Sequence, residues 1–598
     1  MERRLSKSQI ESWCGNVLPL RLLGAAEYGN DPITWTCDSP CVQITSFAND
    51  PDGGFTDGIL LTLLAEGQAT ITASFGDAQY TCQVNVHEMR KAVSGKELNY
   101  YTGDFHDHSC NSHKKEEVCS RTTEYPRDLI RTWKRDGILD FAVISDHAGL
   151  LNAREYYRGY VDAEESEPMD MIIFPGCEAE ITPLEPDRYG IVHKNAGEIV
   201  TVNAANFANT DSWEEFYQKY ETSPFAISCL AHPLVVGGST PGIWNFCLDK
   251  NNTPRLKQMV KLVEMGNGAD RSANLINEYV YSTALDNGFR VSVTCSSDSH
   301  GPNYELENFP GRTVIMAPEK TKEAFADAIL NNRVYATSTG NVKLFYSVNG
   351  ISAPADLPLC SQYQFHVETA CFRDDENTMP VKCHVISDYG KCVKVIEGDL
   401  ASFDFTVESD TARYFYLRLL DKEGRKTWSC PVFTGRSCDS PVTGTLTPLD
   451  KAGFTATDTA SGADASGLIN DDPTSPWFSE GTTCSICIDM QQEQQIAGLS
   501  HYPRILDKIK ANLSIEDIPF ELAHFPYAYR VSTSCDGDSF HIRASGVFRI
   551  FGCEEIIRFD RHSARYIKLE ILSTCGAVSE RKQFQNANVA IGELTVYR

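Results

Sequence analysis

The sequence predicts a multidomain protein in which an α/β (β/α) barrel is flanked by β-sandwich domains. Three observations carry this prediction. At 598 residues the chain exceeds what a single hydrophobic core holds. Its texture changes near residue 91 from strand-like alternation to a strand–helix alternation, and it changes back near residue 341. The middle stretch also gathers histidines at the ends of its apolar runs.

Residues 1–90 show short alternating runs separated by Gly/Asp turns, ITWTC, GILLTLLAEG, QATITASFG and YTCQVNV, as a small β-sandwich requires. In 91–340 the apolar runs LDFAVIS, MIIFPG, FAISCLA, LVEMGN and FRVSVTCSS are short and continuous, the pattern of parallel strands buried on both faces. Helix-like stretches such as PRDLIRTWKRDG and TKEAFADAILNN lie between them, and repeated βα units point to a barrel. Alternation returns in 341–436 with KLFYSVNG, ASFDFTVES and RYFYLRLLD, predicting a second small sandwich. Residues 437–598 are β-rich again, from TASGADASGLINDDPTSPWFSE through YRVSTSCDGDSFHI to VAIGELTVYR.

Composition narrows the function classes. Lys and Arg number 54 against 81 Asp and Glu, a formal charge of −27, and such a surface repels phosphate backbones, so no nucleic-acid partner is expected. A small phosphorylated substrate stays open, because a bound metal reverses the local field. No run approaches the roughly eighteen apolar residues of a membrane span. The 21 cysteines are scattered without a compact framework, which predicts reduced thiols rather than zinc fingers or a disulfide framework. The opening MERRLSKSQIESW has no apolar stretch behind it, so the expected location is cytoplasmic, or secreted or cell-surface if a signal peptide has been removed. GCEAE and GNGAD lack the spacing of nucleotide loops, and no GxSxG elbow occurs.

Seven histidines stand between His87 and His366: His106, His108, His113, His147, His193, His232 and His300. Each falls at a predicted strand end or in the loop after it, as do Asp146, Glu178 and Asp298. In an α/β barrel the C-terminal strand ends meet on one face, so one fold assumption brings these distant residues into one cup. Nitrogen and oxygen donors without thiolates suit Zn, Mn or Fe. His106 and His108, two apart on an extended segment, point the same way and can grip one ion. A carboxylate such as Glu178 can bridge two.

The successive motifs GDFHDHSCNSH, VISDHAGLLN, PGCEAEI, HKN, LAHP and SSDSHG resemble those of the PHP (polymerase and histidinol phosphatase) domain over 91–340. GRTVI and NNRVYATSTG resemble the branch related to carbaryl hydrolase. The resemblance implies a distorted seven-stranded barrel holding two or three divalent transition metals. It places His106, His108, Glu178 and Asp298 on a first ion, with Glu178 bridging to a second held by His193 and His232. His113, His147 and His300 would hold a third. Asp146 is the candidate partner orienting His147. His106, His108, Glu178, Asp298 and His300 form the expected catalytic group. The implied reaction is hydrolysis by a metal-activated hydroxide. A phosphomonoester or phosphodiester is the leading bond, with a carbamate, ester or amide the alternative, on a small-molecule or glycan-linked substrate. Lys194, Arg271, Arg312 and Arg333 are candidate cations on the substrate side.

Residues 1–90 resemble bacterial Ig-like domains. Residues 437–598 resemble discoidin-type (factor V/VIII C) modules with a galactose-binding-like jelly roll, through the Trp477 stretch, the Ser534–Gly537 turn and the GELTVY strand. The latter implies glycan binding, and a non-catalytic adhesion protein is the reading from a different class.

Overall fold

A computed structural model describes residues 3–25, 33–47, 57–112, 125–137, 139–166, 170–181, 189, 197–220, 226–233, 253–268, 274–300, 310–436, 446–503, 522–548, 554–579 and 585–598. Among these residues no helix is long and apolar enough to cross a membrane.

In the middle region, seven strands lie side by side in chain order. They are β1 (Asn99–Asp104), β2 (Phe141–Ile144), β3 (Ile172–Ile181), β4 (Gly197–Val202), β5 (Ile227–Leu230), β6 (Val260–Asn267) and β7 (Ser292–Ser296). Beyond the strand ends Asp107 forms a parallel bridge with Ser299, so the first and last strands meet. The apolar runs predicted to be parallel pair so within β1–β2–β3 and within β5–β6–β7. The exception is β4, which runs antiparallel to both β3 and β5 and reverses the repeated βα expectation at that point. Strands β2 and β5 are buried along their whole length, as the continuous apolar runs require.

The helices follow local signals. Helix α1 (Pro126–Asp136) starts on proline and stops at Gly137, whose φ of 63° lets its N–H reach the carbonyls of Trp133 and Lys134. Trp133 of α1 is fully buried, anchoring the apolar face of the helix beside Leu129, Ile130 and Ile144. α2 (Ala153–Ser166), α3 (Trp213–Tyr220), α4 (Pro254–Met259) and α5 (Asn274–Asp286) come next in the chain. After β8 (Arg312–Ala317), α6 (Lys322–Leu330) is capped by the Thr321 hydroxyl accepting from the Ala324 N–H. Strand β8 is antiparallel to β1, and β9 (Val334–Thr337) is antiparallel to β8.

The flanking regions are β-rich, as expected. The N-terminal region holds two four-stranded sheets around a shared core of Leu20, Leu61, Ile71 and Val84. It docks on the middle region through Asn203, whose Oδ1 accepts from the Val17 N–H at 3.0 Å and whose Nδ2 donates to the Gly15 carbonyl at 2.6 Å.

Residues 341–436 form two sheets, but one is not separate from the sheet of the middle region. β9 pairs with Lys426–Trp428, so a single sheet continues from β1 through β8 and β9 into the third region.

The C-terminal region is built on two long antiparallel strands, Cys484–Tyr502 and Glu555–Ile571, whose register shifts mark bends. It is tied to the middle region by a buried polar hub. Asp286 at the end of α5 pairs with Arg558 and with Arg413, and accepts from the Tyr414 hydroxyl and the Tyr389 N–H. All 17 cysteines among the described residues are free thiols.

Candidate metal centre

The strand ends deliver the side chains. His106 and His108 follow β1, His147 follows β2, His232 follows β5, and Asp298 and His300 follow β7. Glu178 differs, since it lies within β3, which runs on to Ile181 instead of ending there. These seven residues converge. His113, His193, Lys194 and Arg271 lie outside the described residues.

Glu178 is at the centre, buried. Its Oε1 is 3.2 Å from His106 Nε2 and 3.1 Å from His232 Nε2, and its Oε2 is 3.0 Å from His147 Nδ1 and 3.4 Å from His108 Nε2. Asp298 lies alongside, with Oδ1 3.0 Å from His108 Nε2 and 3.5 Å from both His106 Nε2 and His300 Nδ1. Asp298 and His232 adopt positive φ values of 50° and 22°, a conformation non-glycine residues rarely take and one that gathers at functional sites. The cup opens at His147 and His300, whose side chains are each 32% exposed, while His106 and His108 form its floor.

The outer contacts settle which ring nitrogens face inward. The Ser112 hydroxyl donates to Asp146 Oδ1, so at 2.8 Å it accepts from His108 Nδ1. That leaves the His108 Nε2 lone pair pointing into the cup. Glu264 Oε1 faces His106 Nδ1 at 3.3 Å and does the same for His106. The two Nε2 atoms nevertheless stand 3.1 Å apart, and those of His147 and His300 stand 3.2 Å apart. For the buried His106 and His108, acceptor facing acceptor is costly unless a cation or proton lies between them. The donor set therefore fits divalent ions. Four groupings of three have all their donor atoms within 4.8 Å: His108/His147/His300, His106/His232/Asp298, His106/His108/Glu178 and His147/Glu178/Glu198.

Burial would lower His106 and His232, but the surrounding Glu178, Asp298, Glu264 and Glu198 carboxylates outweigh it, holding His106 well above the usual histidine range and His232 at about 10. Burial, with the adjoining His300 and His147 rings, pushes His108 down to about 3. Burial would raise Glu178 and Asp298, but the imidazoles hold both below the usual carboxylate range. Glu198 is pushed up to about 7 by burial and then by the Glu178 charge.

Several expectations need correction. Asp146 does not orient the His147 ring. Its carboxylate accepts from the Ser109 N–H, the Ser109 hydroxyl and the Ser112 hydroxyl, so it acts on His108 by way of Ser112. Arg333 is no substrate cation: it is buried, paired with Asp327, and donates to the carbonyls of Met316 and Ala92. Arg312 is buried too, with its guanidinium on the Gly311 carbonyl, so it is not presented to incoming substrate.

Sequence reasoning missed Glu264, Ser112, Asn267 and Glu198. Asn267 Nδ2 bridges Glu264 Oε2 and Asp298 Oδ2 at 3.1 Å each. A charged residue inside the apolar run LVEMGN was the available signal for Glu264, because a buried carboxylate needs a partner.

No family model matches the chain, and no curated protein matches it. Part of the chain is similar to solved carbohydrate-binding modules. CpGH89CBM32-5 from Clostridium perfringens, in complex with GalNAc-beta-1,3-galactose, is 18% identical, covering 25% of this chain and 100% of that one, with a TM-score of 0.20. The family 32 module of C. perfringens NanJ, in complex with galactose, is 17% identical, covering 26% and 99%, with a TM-score of 0.19. The C-terminal domain of a chitobiase from Bacteroides fragilis is 22% identical, covering 25% and 96%, also with a TM-score of 0.19. At these scores the likenesses carry no argument about what this protein does.

Proposed function

We propose that the protein is a metal-dependent hydrolase whose residues 91–340 form a PHP-type barrel, and that it acts as a phosphoesterase on a small-molecule or glycan-linked substrate. The observation that carries this reading is the convergence of five imidazoles, Glu178 and Asp298 in one cup. Glu178 reaches four of the imidazoles and is the residue suited to bridge two ions. Divalent Zn, Mn or Fe held there would lower the pKa of water and offset negative charge on substrate oxygens.

The chain's own groups prepare that chemistry. Ser112 and Glu264 hold the tautomers of His108 and His106, which keeps both Nε2 atoms free as ligands. The exposed His147 and His300 edge is where substrate enters. With Arg312 and Arg333 turned into the fold, the substrate's negative charge is met at the cup itself.

Purified full-length protein supplied with Mn or Zn should turn over a phosphomonoester or a phosphodiester. Turnover of only a carbamate or carboxyl ester would redirect the reading to the alternative bond. No turnover of any of the four, or undiminished turnover in a His106→Ala/His108→Ala variant, would overturn it. For residues 437–598 we propose glycan binding, supported by the Trp477 and GELTVY motifs. A glycan array probed with the full chain tests this, and an array without signal above background sinks it.

A further inference from the structure

Strand β4 is the one strand of the seven that runs backward, so its beginning, not its end, lies at the cup. The residue there is Glu198. In the antiparallel pairing of β3 with β4, Glu178 is opposite Val200, two positions from Glu198, so the two carboxylates project from the same face of the sheet. Glu198 Oε2 is 3.3 Å from His232 Nε2, the same nitrogen that stands 3.1 Å from Glu178 Oε1. The donor atoms of His147, Glu178 and Glu198 lie within 4.8 Å of one another. We propose that Glu198 is a metal ligand, holding with Glu178 and His232 the ion on the β3–β5 side of the cup, next to His147.

Glu198 adds a second carboxylate to the bridging Glu178 and a neutral imidazole at that ion, and such an oxygen-rich set suits Mn, Fe or Zn. The assignment rests on the metallohydrolase reading only in requiring that the cup hold metal. If Glu198 merely paired with His232, a glutamine, equal in size and still able to hydrogen-bond, would leave metal binding intact. A ligating carboxylate cannot be replaced in that way.

The test is metal content per chain and chelator-driven release from the full-length protein loaded with Mn(II), with the spin-coupled Mn spectrum as a second readout. Glu198→Gln should lose one equivalent, or release it at least about tenfold faster, while the remaining metal stays. Glu198→Asp should keep the equivalent with an altered spectrum. Wild-type content and release in Glu198→Gln would overturn the assignment and leave the metallohydrolase reading standing. Wild-type protein holding less than one metal per chain would overturn both. Should Glu198→Gln fold poorly, Glu198→Asp decides: an unchanged spectrum in that variant overturns the assignment.

Discussion

The Nε2 atoms of His106 and His108 stand 3.1 Å apart, each with its Nδ1 engaged from behind, by Glu264 and by Ser112. Two imidazoles so constrained cannot turn away from each other, and a shared cation relieves the conflict. Removing a tautomer-holding group should therefore weaken metal binding without touching a ligand. Ser112→Ala and Glu264→Ala should each lower metal affinity by about 10–100-fold, measured by competition with a chromophoric chelator. Unchanged affinity in both would refute the tautomer argument.

His501 tests pH dependence far from the cup. It is buried between Phe525 and Phe548, its Nε2 has no hydrogen-bond partner among the described residues, and burial pushes it down to about 3. In the unfolded chain it titrates near 6.5, so between about pH 6.5 and 3 the unfolded state binds the extra proton. Stability from this group is thus full above about pH 6.5 and falls on acidification, by about 1.4 kcal/mol per pH unit. Urea unfolding at pH 7 and pH 5 should show the loss in wild type and a smaller one in His501→Phe.

The Asp286 hub should behave as a buried charge cluster. Arg558→Ala leaves Asp286 partly uncompensated and should cost about 3–5 kcal/mol, whereas Arg558→Met with Asp286→Asn should cost less than the sum of the separate changes. Hydrogen exchange at Ile556, whose N–H donates to the Tyr279 hydroxyl at 3.2 Å, reports whether the C-terminal region loosens from the middle region.

Arg333 separates structure from catalysis. Arg333→Met breaks the buried pair with Asp327 and should destabilise the fold by about 3 kcal/mol or more. Steady-state kinetics on an active substrate should show KM within about twofold of wild type; a large rise in KM would restore Arg333 as a substrate contact.

Much of this was legible in the sequence because apolar runs and strand-end residues are local signals. LDFAVIS, ISCLA and VSVTCSS became strands, and the residues just beyond each reached the cup. What escaped depended on strand direction and on pairing across the sheet. Glu198 stands at a strand's start, which faces the cup only because β4 is reversed, and no local pattern in GEIVTV announces reversal. Asp146 adjoins His147 in sequence, yet Ser112 draws it toward His108. The boundary at 340 marked a change of texture, not a break in hydrogen bonding.

That last point bears on how the protein can be cut. A fragment ending at residue 340 would strip Lys426–Trp428 from the side of Val334–Thr337, baring a row of amide and carbonyl groups that Ala336 and Thr337 now share with Trp428 and Thr427. Such a raw margin recruits other chains. The smallest well-behaved piece containing the histidine cup therefore extends at least through Thr434, and a catalytic fragment trimmed to the composition boundary should clump where the longer one stays dispersed.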